Sequence, residues 1–415
     1  MIPKFKLTKD QLTAFEEFQD WLLNSDTQFK TLSGYAGTGK TTLLNSFVKF
    51  ARSQDIKTAV TATTNKAVKV LRDKIETGVS HFWTIHSLLN IRPVQKGTLE
   101  IFQIDKFGSE KLDGYDLVII DEASMISCDD IDGQPSLLTL IKDACDNYPH
   151  LKVLFCGDPA QLQPINESVS QCFDFSPMVL TTIVRHDDGI SNVAQIVREN
   201  SREVTKQDLL GVSDEVTGIQ RKDIPELFEG WHKNPDGVRV LAWTNKRVKS
   251  WNKALRDKCM NNPVEDYVPG DRIIAKSVCF EVDKASPIDR VVMYNSEEAI
   301  IQSVKETSWS YEMYVLTENG RKEKLNVIKP DLIKDFNSKL QTLARNKEWK
   351  KYWGWKKNFH DIDFCYSLTT HKSQGSTFDT VIIDYNDVRG NRDILNRNQL
   401  LYVGITRAAK HVYII

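Results

Sequence analysis

GYAGTGKTT, from Gly34 to Thr42, has residue types and spacing suited to holding phosphate. It fits GxxxxGK[ST] between a strand-like run and a helix-like one, so backbone N–H groups at a helix N-terminus could cradle a polyphosphate. In that pattern Lys40 reaches the β- and γ-phosphates and the Thr41 hydroxyl ligates Mg2+, with Gly37, Thr38, Gly39 and Thr42 completing the loop. DEASM at 121–125 follows the buried-strand run DLVII. There Asp121 would hold Mg2+ through water, and Glu122 would polarise the attacking water as general base. GDPAQLQP at 157–164 follows LKVLFC and offers Gln161 as a sensor of the γ-phosphate and the water. Gln11 has two compatible readings. Thr8-Lys9-Asp10-Gln11 fits a capping box, and the Gln11 amide is also a candidate for recognising adenine. The chemistry predicted is ATP hydrolysis, with ATP and Mg2+ as cofactors.

Those residues need a scaffold. The first 180 residues alternate helical and strand patterns, which implies a parallel sheet covered by helices on both faces. A helix over 8–23 carries Leu12, Phe15, Phe18 and Leu22 on one face. Residues 91–113 break the rhythm and read as a hairpin-bearing insertion. A second α/β block begins near Leu180 with a strand at Val238–Trp243. After Asn261 a β-rich stretch with turn signals interrupts it, reading as a small inserted barrel. A charged helical segment at about 331–352 follows, and the block resumes with FCYSLTT and ends in HVYII.

Composition sets limits. The chain has 415 residues, which suggests about two to four domains. Lys plus Arg total 55 against 56 for Asp plus Glu, a net charge of −1, so affinity for nucleic acid cannot come from a bulk basic excess. Seven cysteines without CxxC spacing suggest neither a disulfide framework nor a zinc ribbon. MIPKFKLTKDQ lacks the apolar core of a signal peptide, and no run approaches a membrane span, so no membrane partner and a cytoplasmic location are expected.

In their order these motifs resemble superfamily 1 helicases, and the match runs from residue 11 to residue 408. ATTNKA at 62–67 looks like motif Ia and LTTIVR at 180–185 like motif IV. WTN at 243–245 looks like the strand motif of a second RecA-like domain, THKSQGST within 369–377 like motif V, and LYVGITRA at 401–408 like motif VI. The pattern is most similar to the 5′→3′ branch, superfamily 1B, and within it to Dda-type helicases of T-even phages. The resemblance implies two RecA-like P-loop domains facing one ATP, with Arg185 and Arg407 as arginine fingers. It implies domain 1A at 1–179 with a pin-like insertion at about 91–113. Domain 2A would comprise 180–260 and 361–415, and an SH3-like barrel with a helical arm, 261–360, would be inserted in it. Two positions depart from the family. Thr182 stands where an acidic residue is usual, and Thr63 where Pro is common.

By the same resemblance, Thr63, Asn65, Thr84, His86, Asn245, Thr370, His371 and Ser373 line the single strand. These are mostly short polar groups suited to phosphate and sugar contact. His86 and His371 fit a core or capping role equally well. Phe102 is a candidate wedge at the fork, or simply the hairpin's core residue. Residues 345–359 carry a local charge of +5 and three tryptophans, Trp349, Trp353 and Trp355. The tryptophans are expected to pack and the lysines to supply strand or fork electrostatics. The function expected is an ATP-dependent 5′→3′ DNA helicase acting in replication or recombination. It would be a monomer in host cytoplasm, partnered by single-stranded and fork DNA and by a single-strand-binding, replication or recombination protein. The rivals are a translocase that mainly displaces DNA-bound proteins, an RNA-directed helicase, and a nucleotide-switched binding module.

Overall fold

The computed structural model describes residues 7–75, 80–96, 99–104, 109–131, 134–164, 170–184, 189–229, 231, 237–281 and 290–415. The chain divides into two compact units. The first comprises Met1–Val94, Ile101–Val216 and Asp393–Thr406; the second comprises Gln95–Glu100, Thr217–Arg392 and Arg407–Ile415.

The first unit is built on a six-stranded sheet. Its order is Ser80–Thr84, Thr58–Ala62, Leu117–Asp121, Lys152–Gly157, Phe29–Gly34, Pro177–Leu180. Every pairing in it is parallel, which requires crossover connections and buries both faces. The strand Leu117–Asp121, LVIID, accordingly reads as a nearly continuous apolar run, and Thr58–Ala62 is buried at every position. The helix Lys9–Asn24 starts on a complete capping box between Thr8 and Gln11. Its core face is Ala14, Phe15, Phe18, Trp21 and Leu22, whereas Leu12, expected on that face, is 48% exposed. Phe18 stacks on Phe47 of the helix Lys40–Ser53 with ring centroids 3.9 Å apart. Burying side chains of this size contributes about 1.5–3 kcal/mol each. Strands Ile91–Lys96 and Leu99–Ile104 form a separate two-stranded sheet.

The second unit has a five-stranded sheet ordered Ser367–Thr369, Val238–Ala242, Phe378–Ile383, Ala408–Ile414, Val216–Gly218. A second five-stranded sheet, with antiparallel pairings throughout, holds Lys322–Ile328, Ser310–Thr317, Glu298–Glu306, Arg272–Ala275 and Ile362–Phe364. Its core is Ile273, Ala299, Ile301, Met313, Val315 and Leu325 with their neighbours. The charged segment forms two helices, Ile333–Arg345 and Trp349–Asn358, separated by a turn in which Lys347 has φ 57°. Buried ions join the two sheets of this unit. Arg239 and Arg272 both bond Glu298, at 3.0 and 2.8 Å, and all three side chains are at most 10% exposed.

Candidate nucleotide and nucleic-acid sites

The parallel strands Phe29–Gly34, Lys152–Gly157 and Leu117–Asp121 are neighbours, so their C-terminal ends bring GYAGTGKTT, GDPAQLQP and DEASM together. Ligands in open α/β sheets bind at that end. The phosphate loop turns through Gly37 and Gly39 at φ 84° and 79°, the left-handed region that a side chain disfavours. A Cβ at Gly39 would also stand 2.6 Å from Gln11 Nε2. Gly39 caps the helix Lys40–Ser53 without any side-chain bond, so the first-turn N–H groups have no side-chain acceptor at the cap. The Lys40 ammonium folds onto its own loop, donating to the carbonyls of Gly34 at 2.6 Å and Tyr35 at 2.9 Å. The Thr38 hydroxyl is tied to the Tyr35 carbonyl at 2.9 Å; Thr41 is half-buried and Thr42 exposed.

Gln11 performs its capping role and touches the loop as well. Its Oε1 accepts the Thr8 N–H at 3.1 Å, and its Nε2 donates to the Thr38 carbonyl at 2.9 Å. One Nε2 hydrogen is thereby committed to the loop.

Asp121 ends its strand. Burial pushes its carboxyl above the ordinary carboxylate range, opposed by the Glu122 N–H, the Lys40 ammonium and the Cys156 thiol. Glu122 is held at φ 55°, ψ 43°. A left-handed glutamate costs roughly 1–2 kcal/mol, a strain that concentrates at functional sites. Gly157 makes room for the loop Glu122 begins: a Cβ there would lie 3.1 Å from the Ala123 nitrogen. Two buried atoms in these motifs, Ser124 Oγ and Gln161 Oε1, have no hydrogen-bond partner. Buried polar atoms are almost always satisfied, so this pair fits a site completed by water, phosphate or a hydrated cation.

Two side chains that sequence reasoning passed over organise the site. Asp158 is fully buried and accepts N–H bonds from Ala36 and Ala160 and the hydroxyl of Tyr402, at 3.0, 2.9 and 2.6 Å. Both residues lie inside motifs already singled out, GDPAQLQP and LYVGITRA. Asp10 is the third omission. Its carboxylate accepts the backbone N–H groups of Thr181 and Thr182 at 2.9 and 2.8 Å. An acid thus serves the segment where Thr182 replaces the usual one, but it comes from the first helix. The guanidinium of Arg198 covers the Tyr35 ring at 3.7 Å. Arg185 lies outside the described residues.

The proposed strand-contact residues fall into one cluster in each unit, built the same way. In the first unit Ala62 pairs with Thr84 on parallel strands, so Thr63 and Asn65 lie beside Thr84 and His86. The Thr63 hydroxyl meets Met125 Sδ at 3.6 Å, and Thr84 caps the short helix that holds His86, accepting the Ser87 N–H at 3.2 Å. In the second unit Ala242 pairs with Thr369, which brings Asn245 beside Thr370, His371 and Ser373. Asn245 is exposed at the start of its helix. Thr370 and Ser373 are buried, and their hydroxyls bond the carbonyls of Ala242 and Thr370. The Ser373 side chain closes the turn and that of Thr370 ties it to the strand Val238–Ala242, which leaves backbone as the group they present. Burial lowers the pKa of both His86 and His371, so each is a neutral ring at pH 7. Phe102 lies on the strand Leu99–Ile104, and its side chain is outside the described residues.

Arg407, in the second unit, is 8% exposed. It donates from Nη1 to the Ser376 carbonyl at 3.3 Å, and its Nε has no partner. Among the described residues no carboxylate pairs with it, an unusual state for a buried cation and one suited to a group that meets an anion.

Around the basic segment, Trp353 is buried, while Trp355 packs with Trp309, Phe336 and Phe359 at centroid distances of 5.9, 6.2 and 5.7 Å. Trp353 and Trp355 therefore serve packing, as expected, while Trp349 is half-buried beside Tyr352 of its own helix. Lys350, Lys351 and Lys356 are exposed, Lys351 being paired with Glu348. No described helix is long and apolar enough to cross a membrane.

Comparison with known proteins agrees with this geometry. A family profile described as an AAA domain matches residues 6–221, and one described as a UvrD-like helicase C-terminal domain matches residues 364–415. The chain is 26% identical to the ATP-dependent DNA helicase dda of Enterobacteria phage T4, over 98% of both chains. It is 25% identical to the uncharacterized protein R530 of Acanthamoeba polyphaga mimivirus, again over 98% of both. Among solved structures, Pif1 helicase from Bacteroides in complex with ADP-AlF3 and single-stranded DNA aligns with a TM-score of 0.57 at 18% identity, covering 99% of this chain and 92% of that one.

Proposed function

Because the chain belongs to the AAA-domain family that contains the Pif1- and Dda-like helicases of superfamily 1B, and so is an ATP-hydrolysing DNA helicase, we propose that it translocates 5′→3′ on single-stranded DNA and separates the duplex ahead. The observation that carries the mechanism is the convergence of the phosphate loop, the left-handed Glu122 and the unpartnered Oε1 of Gln161 at the ends of three adjacent strands. The first-turn N–H groups and Lys40 bind phosphate. Glu122 takes a proton from the attacking water, Gln161 orients that water, and Gln11 holds the base. Thr41 and Asp121 would hold Mg2+, which would supply neutralisation of phosphate charge when bound. Arg185 and Arg407 complete the charge stabilisation, a contribution of about 10³-fold or more where such arginines act.

The two strand-end clusters are the DNA track. Thr63, Asn65, Thr84 and His86 serve one unit, and Asn245, Thr370, His371 and Ser373 the other. Neutral imidazoles, hydroxyls and backbone bind phosphate and sugar without reading bases, as a motor on arbitrary sequence requires. Residues 91–113, with Phe102, act as the pin. The antiparallel sheet of the second unit is the SH3-like barrel, and the helices at 333–358 are its arm. The division 1–179, 180–260 with 361–415, and 261–360 follows from the same reading, as do a monomeric state and a role in replication or recombination.

The test pairs ATPase with unwinding. Wild-type protein should unwind 5′-tailed and not 3′-tailed duplexes, and Lys40→Ala should remove strand-stimulated hydrolysis while remaining folded. Unwinding of only 3′-tailed substrates would overturn the polarity, and retained hydrolysis in Lys40→Ala would overturn the nucleotide site. Deleting residues 95–108 should abolish unwinding but spare translocation.

A further inference from the structure

Two cysteines beside the loop that Glu122 begins have no part in the nucleotide chemistry. Cys128 follows the turn Ala123–Met125, and Cys172 sits in the one-turn helix Gln171–Asp174. They share one hydroxyl: Cys128 Sγ lies 3.2 Å from Ser170 Oγ, which accepts the Cys172 N–H at 3.4 Å. Each thiol also shifts the other's protonation, as near neighbours do. Ser170 Oγ reaches the carbonyls of Ala123 and Ile126, at 3.4 and 3.5 Å, and Cys128 Sγ lies 3.4 Å from that of Ile126. The sulfur pair thus rests on the backbone that sets the position of Glu122.

The two thiols are unequal. Cys128 is half-buried, while Cys172 is fully buried. The Cys172 thiol, then the Ser170 hydroxyl and the N–H groups of Gln171 and Cys172, outweigh burial and bring Cys128 down to about 6. The shift favours its thiolate, the form that reacts with peroxides. Cys172 is pushed far up by Cys128 and by burial, and stays protonated.

We propose that Cys128 and Cys172 form a peroxide-sensitive thiol pair whose disulfide displaces the Glu122 loop and stops hydrolysis. The Cys128 thiolate attacks one oxygen of hydrogen peroxide. An S–O bond forms, the O–O bond breaks, and the departing hydroxide takes a proton to become water. Cys172 Sγ then attacks the sulfenic sulfur. The S–S bond forms, the S–O bond breaks, and the second hydroxide leaves as water with the Cys172 proton. Two thiols lose two electrons, and one peroxide gains them. The bond would displace Ser170 from between its partners, because a disulfide fixes its own separation and dihedral. Misplacing a catalytic group by an ångström costs up to about 10²-fold.

The effect on activity rests on the assignment of Glu122 as base; the bond itself does not. The test treats the full chain with hydrogen peroxide, then measures strand-stimulated ATPase and maps peptides under non-reducing conditions. A Cys128–Cys172 cross-linked peptide is expected, with ATPase falling at least about tenfold and recovering with dithiothreitol. Cys128→Ser and Cys172→Ala should each keep basal ATPase and resist the inactivation. Absence of the cross-linked peptide, or equal inactivation of Cys128→Ser, would overturn the proposal. A cross-link that forms without loss of ATPase would overturn its link to Glu122. Loss of activity in untreated Glu122→Gln tests the base separately.

Discussion

The Tyr402 hydroxyl donates to a carboxylate oxygen of Asp158 at 2.6 Å, and the Ala36 N–H lies 3.0 Å from both of these oxygens. Ala36 belongs to the phosphate loop, so three sequence motifs meet at one buried carboxylate. Tyr402 is 2% exposed, and burial beside Asp158 pushes its phenol up, so it remains a proton donor at any working pH. A hydrogen bond to a charged group contributes about 1.5–3 kcal/mol. Tyr402→Phe should destabilise the fold by that amount in urea titrations and raise KM for ATP more than it lowers kcat. An unchanged unfolding midpoint together with unchanged KM would show that the contact does not position the loop.

Asp10 gives a prediction in pH. Burial raises its pKa, but bonds from the Thr8 hydroxyl and the N–H groups of Thr182 and Thr181 outweigh that and bring it down to about 2 from its ordinary 3.8. A depressed folded pKa means the stabilisation is fully present above 3.8 and is lost as pH falls through about 2. Asp10→Asn should therefore cost about 1–2 kcal/mol at neutral pH, in keeping with charge-assisted bonds. Unfolding free energies of the two proteins should converge as pH drops from 3.8 toward 2. A gap that is the same at every pH would mean that the carboxylate's charge is not what holds Thr181 and Thr182.

The nucleotide site was legible because its parts are local: each motif is a strand end plus the loop it feeds, and spacing along the chain carries the geometry. What was not legible is what tertiary neighbours do to a residue. Leu12 fits the helical face by periodicity, yet Ala14 and Trp21 occupy the buried positions, because the sheet takes a face rotated toward them. Thr370 and Ser373 read as strand contacts from their motif, and only the fold shows that their hydroxyls donate to the carbonyls of Ala242 and Thr370. Asp158 and Tyr402 lie in recognised motifs 244 positions apart, and no sequence pattern joins them. The ion group of Arg239, Glu298 and Arg272 has no sequence signature at all.

That ion group is a third stability test. Glu298 is 1% exposed in its bond to Arg239, which is wholly buried. The pairs span the strand Val238–Ala242 and the antiparallel sheet, so the group ties the β-rich insertion to the α/β sheet of the same unit. Removing one partner of a buried pair costs about 3–5 kcal/mol, because the other charge stays buried and unpaired. Glu298→Gln should lose stability in that range, and Arg239→Met with Arg272→Met and Glu298→Leu together should recover much of it. A triple variant as unstable as the single one would show that the ions hold a geometry that apolar packing cannot.

The helix Trp349–Asn358 separates packing from electrostatics within ten residues. Trp353 is 5% exposed, and Lys356 Nζ sits 4.5 Å from its ring, while Lys350 and Lys356 face solvent. Trp353→Ala opens a cavity and should cost about 3–5 kcal/mol in unfolding experiments. It should leave the salt dependence of DNA binding unchanged. Lys350→Ala with Lys356→Ala should do the reverse. Each phosphate contact on a single strand contributes about 0.7 to the slope of log K against log salt, so loss of both lowers the slope by at most about 1.4. The formal charge of −1 makes this measurement informative, since there is no bulk basic excess to mask two lost contacts. A salt slope unmoved by the double lysine variant, on both single-stranded and forked DNA, would remove this helix from the DNA-binding surface.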